Sequence, residues 1–270
     1  MNQTIRDYFT RPHRQVYYPF DLGPAVLLVN GRKCLREDVS IPNKDGKLLS
    51  VSFFYRPDDR PHNCLLYLHT HNGSKLEALP LAEKILSLGV NLCLFDFAGY
   101  GNSEGSSVTL GCREMWDIEC VISHLSEKHE QSKFILWGRS MGAVAALLYL
   151  STKSGMGSGL ERSRIVGGIY DSPFHSLEKL TAEIGARSSK LPEVMMTPLV
   201  YLVKSSLKEE IDFEELELLE KVRGISVPGI FIASHSDSFV HHSHSEILYK
   251  EYGGRKELAY IERDHNQVRR

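Results

Sequence analysis

Short apolar runs and helix-spaced apolar positions alternate along this chain from about residue 33 onward. The runs are nearly continuous in apolar character, which is typical of parallel strands covered on both faces. Between them, Leu79, Ala82, Ile85 and Leu86 recur at helical spacing and stop at Gly89. Six such runs follow one another, at residues 64–69, 90–97, 133–137, 165–170, 227–233 and 258–262. The pattern predicts an α/β fold with a mostly parallel central sheet and helices on both faces.

Two segments depart from this alternation. Residues 33–42 and 48–56 flank Asn43-Lys44-Asp45-Gly46, and an Asp-Gly pair suits a tight turn, so an antiparallel hairpin should open the sheet. Residues from about 172 to 224 carry helical patterning without a strand. This predicts a small helical cap inserted into a single domain that spans residues 1–270.

The middle of the predicted cap, residues 194–203, is apolar, contains Pro198 and is too short to cross a bilayer. It should therefore pack on the body of the domain. If part of this surface instead faces the active site, we expect the substrate to carry an acyl chain, because methionines such as Met195 and Met196 suit pockets that accept flexible apolar chains. The apolar side chains of this surface are Val194, Met195, Met196, Leu199, Val200, Leu202 and Val203.

The composition restricts the expected partners. In 270 residues, 32 lysines and arginines are balanced by 34 aspartates and glutamates, and the isoelectric point is near 6.6. The absence of a basic surplus argues against a nucleic-acid partner and favours a small or acyl-bearing molecule.

Five cysteines form no Cys-x-x-Cys pair, which is typical of reduced thiols in an intracellular protein. The first residues are polar, and no stretch approaches the roughly 18 uncharged residues that a membrane span needs. We expect a cytoplasmic protein, with peripheral contact to a membrane left open. The sequence indicates no particular oligomeric state.

Gly138-Arg139-Ser140-Met141-Gly142 matches the nucleophile elbow, in which flanking glycines let a serine occupy a strained turn between a strand and a helix. The motif alone is weak, because Gly101-Asn102-Ser103-Glu104-Gly105 matches it as well. Only Ser140 follows an apolar strand and precedes a segment, residues 143–150, that is rich in helix-favouring residues. Ser140 is therefore the predicted nucleophile, and the alternative role is a helix-capping serine.

A serine hydroxyl needs an adjacent base to remove its proton, and that base needs a carboxylate to orient it. In folds with a nucleophile elbow the chain order is serine, then acid, then histidine. Asp237 and His265 follow the last two predicted strands, where both would face Ser140. Asp171, at the end of the preceding strand, is the second candidate for the acid. Asp264 is disfavoured, because neighbouring side chains on an extended segment diverge.

The negative charge that develops on the substrate oxygen during acyl transfer needs backbone N–H donors. One donor should be Met141, directly after the nucleophile. The other should be His71, in the loop that follows the run at 64–69. This chemistry needs no cofactor, and we expect none.

Four further histidines near Asp237 raise the alternative of a zinc site. No two of them lie four residues apart on a clear helix, so we expect no metal. They are His235, His241, His242 and His244.

Taken together, these motifs resemble the α/β-hydrolase superfamily, and most closely the small intracellular serine hydrolases of the serine-aminopeptidase-like or depalmitoylase-like type. The resemblance covers most of the chain. It implies an α/β-hydrolase fold in which nucleophile, acid and base fall on Ser140, Asp237 and His265, and in which Ser103 belongs to a structural loop. The matching segments read Tyr67-Leu-His69, Asn72-Gly73-Ser74, Asp96-Phe-Ala-Gly99-Tyr-Gly101-Asn-Ser103-Glu-Gly105, Leu136-Trp-Gly-Arg-Ser-Met-Gly142, Asp171-Ser-Pro-Phe174 and Asp264-His265-Asn266.

Three departures from the family pattern bear on function. The His-Gly pair of the oxyanion loop is His69-Thr70 here, and Arg263 stands where a glycine usually precedes Asp-His-Asn. The chain ends at Arg270, so the helix that usually follows the histidine should be short or absent. Residues 1–25 resemble the family's N-terminal segment, which lies across the body.

The resemblance implies a serine hydrolase that cleaves an ester, thioester or amide through a covalent acyl-enzyme on Ser140. The alternative is an α/β-hydrolase fold that no longer catalyses and serves as a binding module. Thr70 in the oxyanion loop is the feature that favours this alternative.

Overall fold

A single sheet runs through the computed structural model, which describes residues 2–57, 63–152, 159–267 and 269. Met1 and Arg270, which bound the predicted domain, lie outside the described residues. The strands are β1 (Val26–Val29), β2 (Arg32–Pro42), β3 (Leu48–Tyr55), β4 (Asn63–Leu68), β5 (Asn91–Phe95), β6 (Lys133–Arg139), β7 (Ile165–Asp171), β8 (Gly229–Ala233) and β9 (Lys256–Tyr260).

The order of the strands in the sheet is β1-β2-β3-β5-β4-β6-β7-β8-β9. Pairing is antiparallel from β1 to β3 and between β3 and β5, and it is parallel from β5 through β4 to β9. The predicted mostly parallel sheet is therefore confirmed. The carboxyl ends of β4 to β9 lie along one edge, where ligands bind in open α/β sheets.

Helices cover both faces of the sheet. Along β4, Leu65 and Tyr67 belong to a core cluster with the helix at Ala82–Ser87. Cys64, Leu66 and Leu68 belong to a larger cluster with the helices at Glu114–Lys128 and Met141–Ser151. Because successive side chains of a strand point to opposite faces, a strand covered on both sides is apolar throughout. The helices are α1 (Asn2–Thr10), α2 (Ala82–Ser87), α3 (Glu114–Lys128), α4 (Met141–Ser151), α5 (Gly159–Ser163), α6 (Leu177–Ser189), α7 (Thr197–Leu207), α8 (Leu219–Val222) and α9 (Ser243–Glu251).

The predicted opening hairpin is confirmed, since β2 and β3 pair up to Pro42 opposite Leu48. β1 has no counterpart among the predicted strands, and it pairs antiparallel with β2. Asn30 and Gly31 connect β1 to β2 with φ values of 51° and 73°. Positive φ at both positions is typical of a two-residue hairpin turn, so the Asn-Gly pair was the available signal.

Two predicted elements differ from the structure at an end. Leu79, the first of the helix-spaced apolar positions, lies in a 3₁₀ helix at Lys75–Leu81, and α2 begins only at Ala82. Pro80 lies in that 3₁₀ helix and cannot donate an N–H to an α-helical turn. The last strand spans Lys256–Tyr260 rather than 258–262. β9 lies at the edge of the sheet and is partly exposed, so apolar character does not mark its ends.

Residues 172–224, here termed the cap, connect β7 to β8 and contain α6, α7, α8 and a 3₁₀ helix at Glu193–Met196, with no strand. α6 packs against α7, and α1 packs against α7 from the start of the chain. Within the part of the chain that the structure describes, no helix combines the length and the apolar character needed to cross a bilayer.

Candidate active site

Ser140 lies between β6 and α4 in a backbone conformation that non-glycine residues rarely adopt, with φ 51° and ψ −119°. Two glycines permit this turn. A Cβ on Gly138 would lie 2.4 Å from the carbonyl oxygen of Gly142, and a Cβ on Gly142 would lie 2.1 Å from the carbonyl oxygen of Leu68. The strand, turn and helix predicted around Ser140 are all present.

Three side chains meet in a hydrogen-bonded series at the carboxyl edge of the sheet. His265 Nε2 lies 3.0 Å from Ser140 Oγ, and His265 Nδ1 lies 2.7 Å from Asp237 Oδ2. All three residues are buried, with 4–6% of their surface exposed. These distances are within the range over which a base can take a proton from a hydroxyl.

The carboxyl group of Asp237 stays ionised although it is buried. Burial raises its pKa, but the hydrogen bond and charge of His265 more than offset this effect, so the pKa lies below its usual value. The N–H groups of Phe239 and Val240 also donate to Oδ1, at 2.9 and 2.8 Å. An ionised carboxylate here can orient the imidazole and stabilise its protonated form.

The two other candidates for the acid have different partners. The Asp171 carboxylate accepts hydrogen bonds from Arg269 Nε at 2.8 Å and Nη2 at 3.0 Å. Asp264 Oδ1 accepts the Ser238 N–H at 2.8 Å. Asp237 is therefore the carboxylate that the structure brings to His265.

Ser103, in the second G-x-S-x-G motif, joins two backbone segments in the interior. Its Oγ donates to the Asp96 carbonyl at 2.5 Å and accepts the Ser50 N–H at 2.8 Å. The residue is 1% exposed, and a turn rather than a helix follows it. This position agrees with the structural loop that the resemblance implied.

Replacing Ser103 by alanine should therefore affect stability rather than activity. The change removes a partner from two buried backbone groups, which should lower the free energy of unfolding by about 1–3 kcal/mol. Urea denaturation measures this loss, with kcat per folded molecule as the companion reading. A large fall in kcat at unchanged stability would contradict the structural role.

His71 and Met141, the predicted oxyanion donors, line the same cavity as Ser140 and His265. The neighbouring Thr70 is held by Glu77: its Oγ1 donates to Oε1 at 2.5 Å, and its N–H lies 3.3 Å from both carboxylate oxygens. The Thr70 N–H is thus engaged, whereas the His71 N–H stays the candidate donor of this loop.

A cavity of about 480 Å³ opens at Ser140. α1, the loop at residues 70–72, and the cap helices α6 and α7 supply most of its wall. Apolar side chains dominate, among them Ile5, Phe9, Leu177, Leu180, Ile184 and Val203. No described residue of the lining is an aspartate, glutamate, lysine or arginine.

Part of the apolar middle of the cap faces this cavity, which is the condition under which we expected an acyl chain on the substrate. Leu199 and Val203 line it, since residues four apart lie on the same face of α7. Val194 and Met195 are 81% and 57% exposed, and Met196 is buried beside Gly185 and Ser189 rather than in the lining. The segment therefore lines the cavity through α7 rather than through Met195 and Met196.

Three of the four histidines near Asp237 pack on one another, since the ring centroid of His242 lies 4.5 Å from that of His235 and 4.1 Å from that of His241. Each of the four also has a further contact. His235 stacks on Tyr260, His241 Nδ1 contacts Ser243 Oγ, His242 Nδ1 contacts Glu246, and His244 Nδ1 contacts His175 Nδ1. Across residues 2–57, 63–152, 159–267 and 269, no group of three or more His, Cys, Asp or Glu side chains is arranged to hold a metal ion.

Residues 59–204, more than half of the chain, match the family model Hydrolase_4, serine aminopeptidase S33. The chain belongs to this hydrolase family. The chain is 29% identical to the uncharacterized protein YqkD of Bacillus subtilis over 208 residues, and this alignment covers 76% of the chain and 65% of the relative. It is 26% identical to protein phosphatase methylesterase 1 of Candida albicans over 186 residues, and this alignment covers 66% of the chain and 46% of the relative. The hydrolase thus spans between about half and two thirds of the length of these relatives.

Solved esterase structures share its fold. Esterase Pf2001 of Pyrococcus furiosus aligns with a TM-score of 0.69 and 26% identity over 95% of the hydrolase and 91% of that chain. The esterase EaEST of Exiguobacterium antarcticum aligns with a TM-score of 0.59 over 85% of the hydrolase and 93% of that chain. Its identity of 17% supports the fold alone. The predicted α/β-hydrolase fold is confirmed.

Three side chains that hold the site of this hydrolase were not predicted: Glu77, Arg139 and Arg269. Arg139 occupies the variable position before Ser140, and its guanidinium donates to the carbonyl oxygens of His265 and Gln267. Its place in the motif is the one signal that the sequence offers. Glu77 and Arg269 lie outside the motifs of the site, so only tertiary structure reveals their roles.

Proposed function

We propose that this hydrolase is a serine esterase that transfers the acyl group of an apolar ester or thioester to Ser140 and then to water. The observation that carries the proposal is the pair of hydrogen bonds that joins Ser140 Oγ through His265 to Asp237. Ser140 and His265 line an apolar cavity, so the space for an acyl group lies directly beside the reacting hydroxyl.

Acyl transfer to Ser140 begins when His265 Nε2 takes the hydroxyl proton as Oγ attacks the carbonyl carbon. The imidazolium then gives this proton to the leaving group, and the acyl ester stays on Ser140. His265 next takes a proton from the water that attacks the acyl ester, and it returns that proton to Ser140 Oγ as the carboxylic acid leaves. Asp237 holds Nδ1–H throughout, and the N–H groups of His71 and Met141 stabilise the oxyanion.

The cavity lining favours an apolar acyl group over an aminoacyl group. A buried α-ammonium needs a counter-charge, because an unpaired charge is strongly disfavoured in an apolar site. The described lining residues provide no carboxylate. An acyl chain, in contrast, gains about 0.8 kcal/mol for each methylene that it buries.

The chain-length dependence of p-nitrophenyl ester hydrolysis tests this substrate class. From acetate toward dodecanoate, kcat/KM should rise roughly fourfold per added carbon until the cavity is filled. Val203→Phe narrows the lining and should move the optimum to a shorter chain, with less effect on acetate. A flat profile, together with hydrolysis of aminoacyl amides, would contradict the acyl preference and favour an aminopeptidase.

The assignment of the acid makes a separate prediction. Asp237→Asn should lower kcat by about 10²- to 10⁴-fold, because the amide no longer holds the tautomer that accepts the serine proton. Asp264→Asn is the matched control, and its kcat should stay within about fivefold because the Ser238 N–H contact acts at a distance from the reacting atoms. A larger loss from Asp171→Asn than from Asp237→Asn would transfer the role of acid to Asp171.

A non-catalytic binding module is the second candidate, and Thr70 at the oxyanion loop is the feature in its favour. A fluorophosphonate probe separates the two functions, because it labels only an activated serine. Prompt labelling of the folded protein would rule out the binding module, whereas a folded protein that resists labelling would favour it.

A further inference from the structure

Two buried arginines hold the loop that carries His265. The Arg139 guanidinium donates to the carbonyl oxygen of His265 and, at 2.8 Å, to that of Gln267. Arg269 Nη1 donates to the carbonyl oxygen of Asp264 at 3.1 Å. The two arginines therefore hold the loop by binding its backbone carbonyl oxygens before and after His265.

Asp171 connects this loop to the nucleophile. Its fully buried carboxylate receives both Nε and Nη2 of Arg269, at 2.8 and 3.0 Å. Its backbone carbonyl accepts the Ser140 N–H at 2.8 Å. Asp171 thus contacts the turn that carries Ser140 directly, and it contacts the loop that carries His265 through Arg269.

We infer that Asp171 and Arg269 are positioning residues that set the distance between Ser140 Oγ and His265 Nε2. The inference rests on the proposed function, because it concerns proton transfer between these two atoms. A bidentate pair of two planar groups fixes orientation as well as distance. Proton transfer depends steeply on that geometry, so a small displacement of His265 should reduce turnover.

A loss of stability cannot by itself identify a positioning role. Removing one partner of a buried ion pair destabilises a fold strongly, whatever the pair does for catalysis. The test must therefore separate kcat from KM. It must also follow the pH dependence of kcat/KM, because a general loosening of the fold gives no reason for this dependence to move in opposite directions in two variants.

The charges around His265 provide such a property. Asp237 Oδ2 contacts the His265 ring, and Arg139 contacts the His265 carbonyl oxygen. Asp264 precedes His265 in the chain. Arg269 contacts the same loop and forms an ion pair with Asp171 that carries no net charge. Arg269→Gln leaves the negative charge of Asp171, which favours the imidazolium. Asp171→Asn leaves the positive charge of Arg269, which disfavours it.

The acid limb of the pH profile of kcat/KM should therefore move in opposite directions in these two variants. It should shift to higher pH in Arg269→Gln and to lower pH in Asp171→Asn. In the double variant Asp171→Asn/Arg269→Gln the limb should return toward its original position while the rate stays low.

The experiment uses a p-nitrophenyl ester and the full chain, with folded enzyme counted by fluorophosphonate titration. Both single variants should lose about 10- to 100-fold in kcat, with KM within about threefold. Arg269→Lys should recover only part of the loss, because an ammonium cannot form the bidentate pair. Arg263→Gln removes an exposed arginine of the same loop and is the matched control, with kcat within about twofold.

The outcomes for the function and for the inference are distinct. A chain without Ser140-dependent hydrolysis would overturn the proposed function and this inference with it. Ser140-dependent hydrolysis that survives Asp171→Asn and Arg269→Gln, with an unmoved acid limb, would overturn the inference alone. If either of those variants fails to fold, Arg269→Lys takes its place: a lower kcat at unchanged KM supports the inference, and an unchanged kcat overturns it.

Discussion

Ser140→Ala should reduce kcat for a p-nitrophenyl ester by about 10⁶-fold, the loss expected when a nucleophile that acts as a unit with its base is removed. The change deletes only Oγ, which contacts His265 Nε2 at 3.0 Å beside the cavity. The free energy of unfolding should therefore change by about 1 kcal/mol or less. Steady-state kinetics and urea denaturation of the same preparation measure both quantities.

Ser103→Ala is the matched control for this substitution, because it removes the same hydroxyl from the same short motif. It should retain kcat and lose stability, the reverse of Ser140→Ala. Activity that survives the change at Ser140 and disappears with the change at Ser103 would contradict the assignment of the nucleophile.

His265→Ala should lower kcat by at least about 10³-fold, because no other group takes the proton from Ser140 Oγ. KM for a long-chain ester should change by less than about threefold, since most of the cavity wall is apolar and stays in place. The rate of fluorophosphonate labelling should fall in parallel with kcat, because both report activation of the same hydroxyl.

His235→Ala supplies the comparison, because His235 stacks on Tyr260 with ring centroids 4.7 Å apart and makes no contact with Ser140 or Asp237 among the described interactions. Its kcat should stay within about twofold of the original value. Equal losses from the two histidine substitutions would contradict the role of His265 as base.

The sheet is predictable from the sequence wherever strands are covered on both faces. β4 and β6 are read from continuous apolar runs, because each face of such a strand packs on helices. β1 and β9 lie at the edges of the sheet and are only partly buried, so the same rule misses β1 and shifts β9. The Asn30-Gly31 turn marks β1 better than the strand's own composition.

The positions of Ser140, Asp237 and His265 follow from local motifs and chain order, because parallel strands bring their carboxyl ends to one edge. The residues that hold them do not follow in this way. Arg269 and Asp171 are 98 positions apart, and their ion pair depends on the packing of the C-terminal segment. The sequence likewise leaves open which part of the cap segment lines the cavity, since apolar spacing cannot tell that Leu199 and Val203 turn inward while Met195 stays exposed.

The proposed function requires that Ser140 Oγ is the atom that becomes covalently acylated. The most direct measurement is tryptic mapping of the fluorophosphonate-labelled protein, since cleavage after Arg139 releases a peptide that begins at Ser140. We expect one adduct, localised by fragmentation to Ser140 and absent after Ser140→Ala. An adduct on Ser103 or another serine, or a folded protein that carries no adduct, would contradict it.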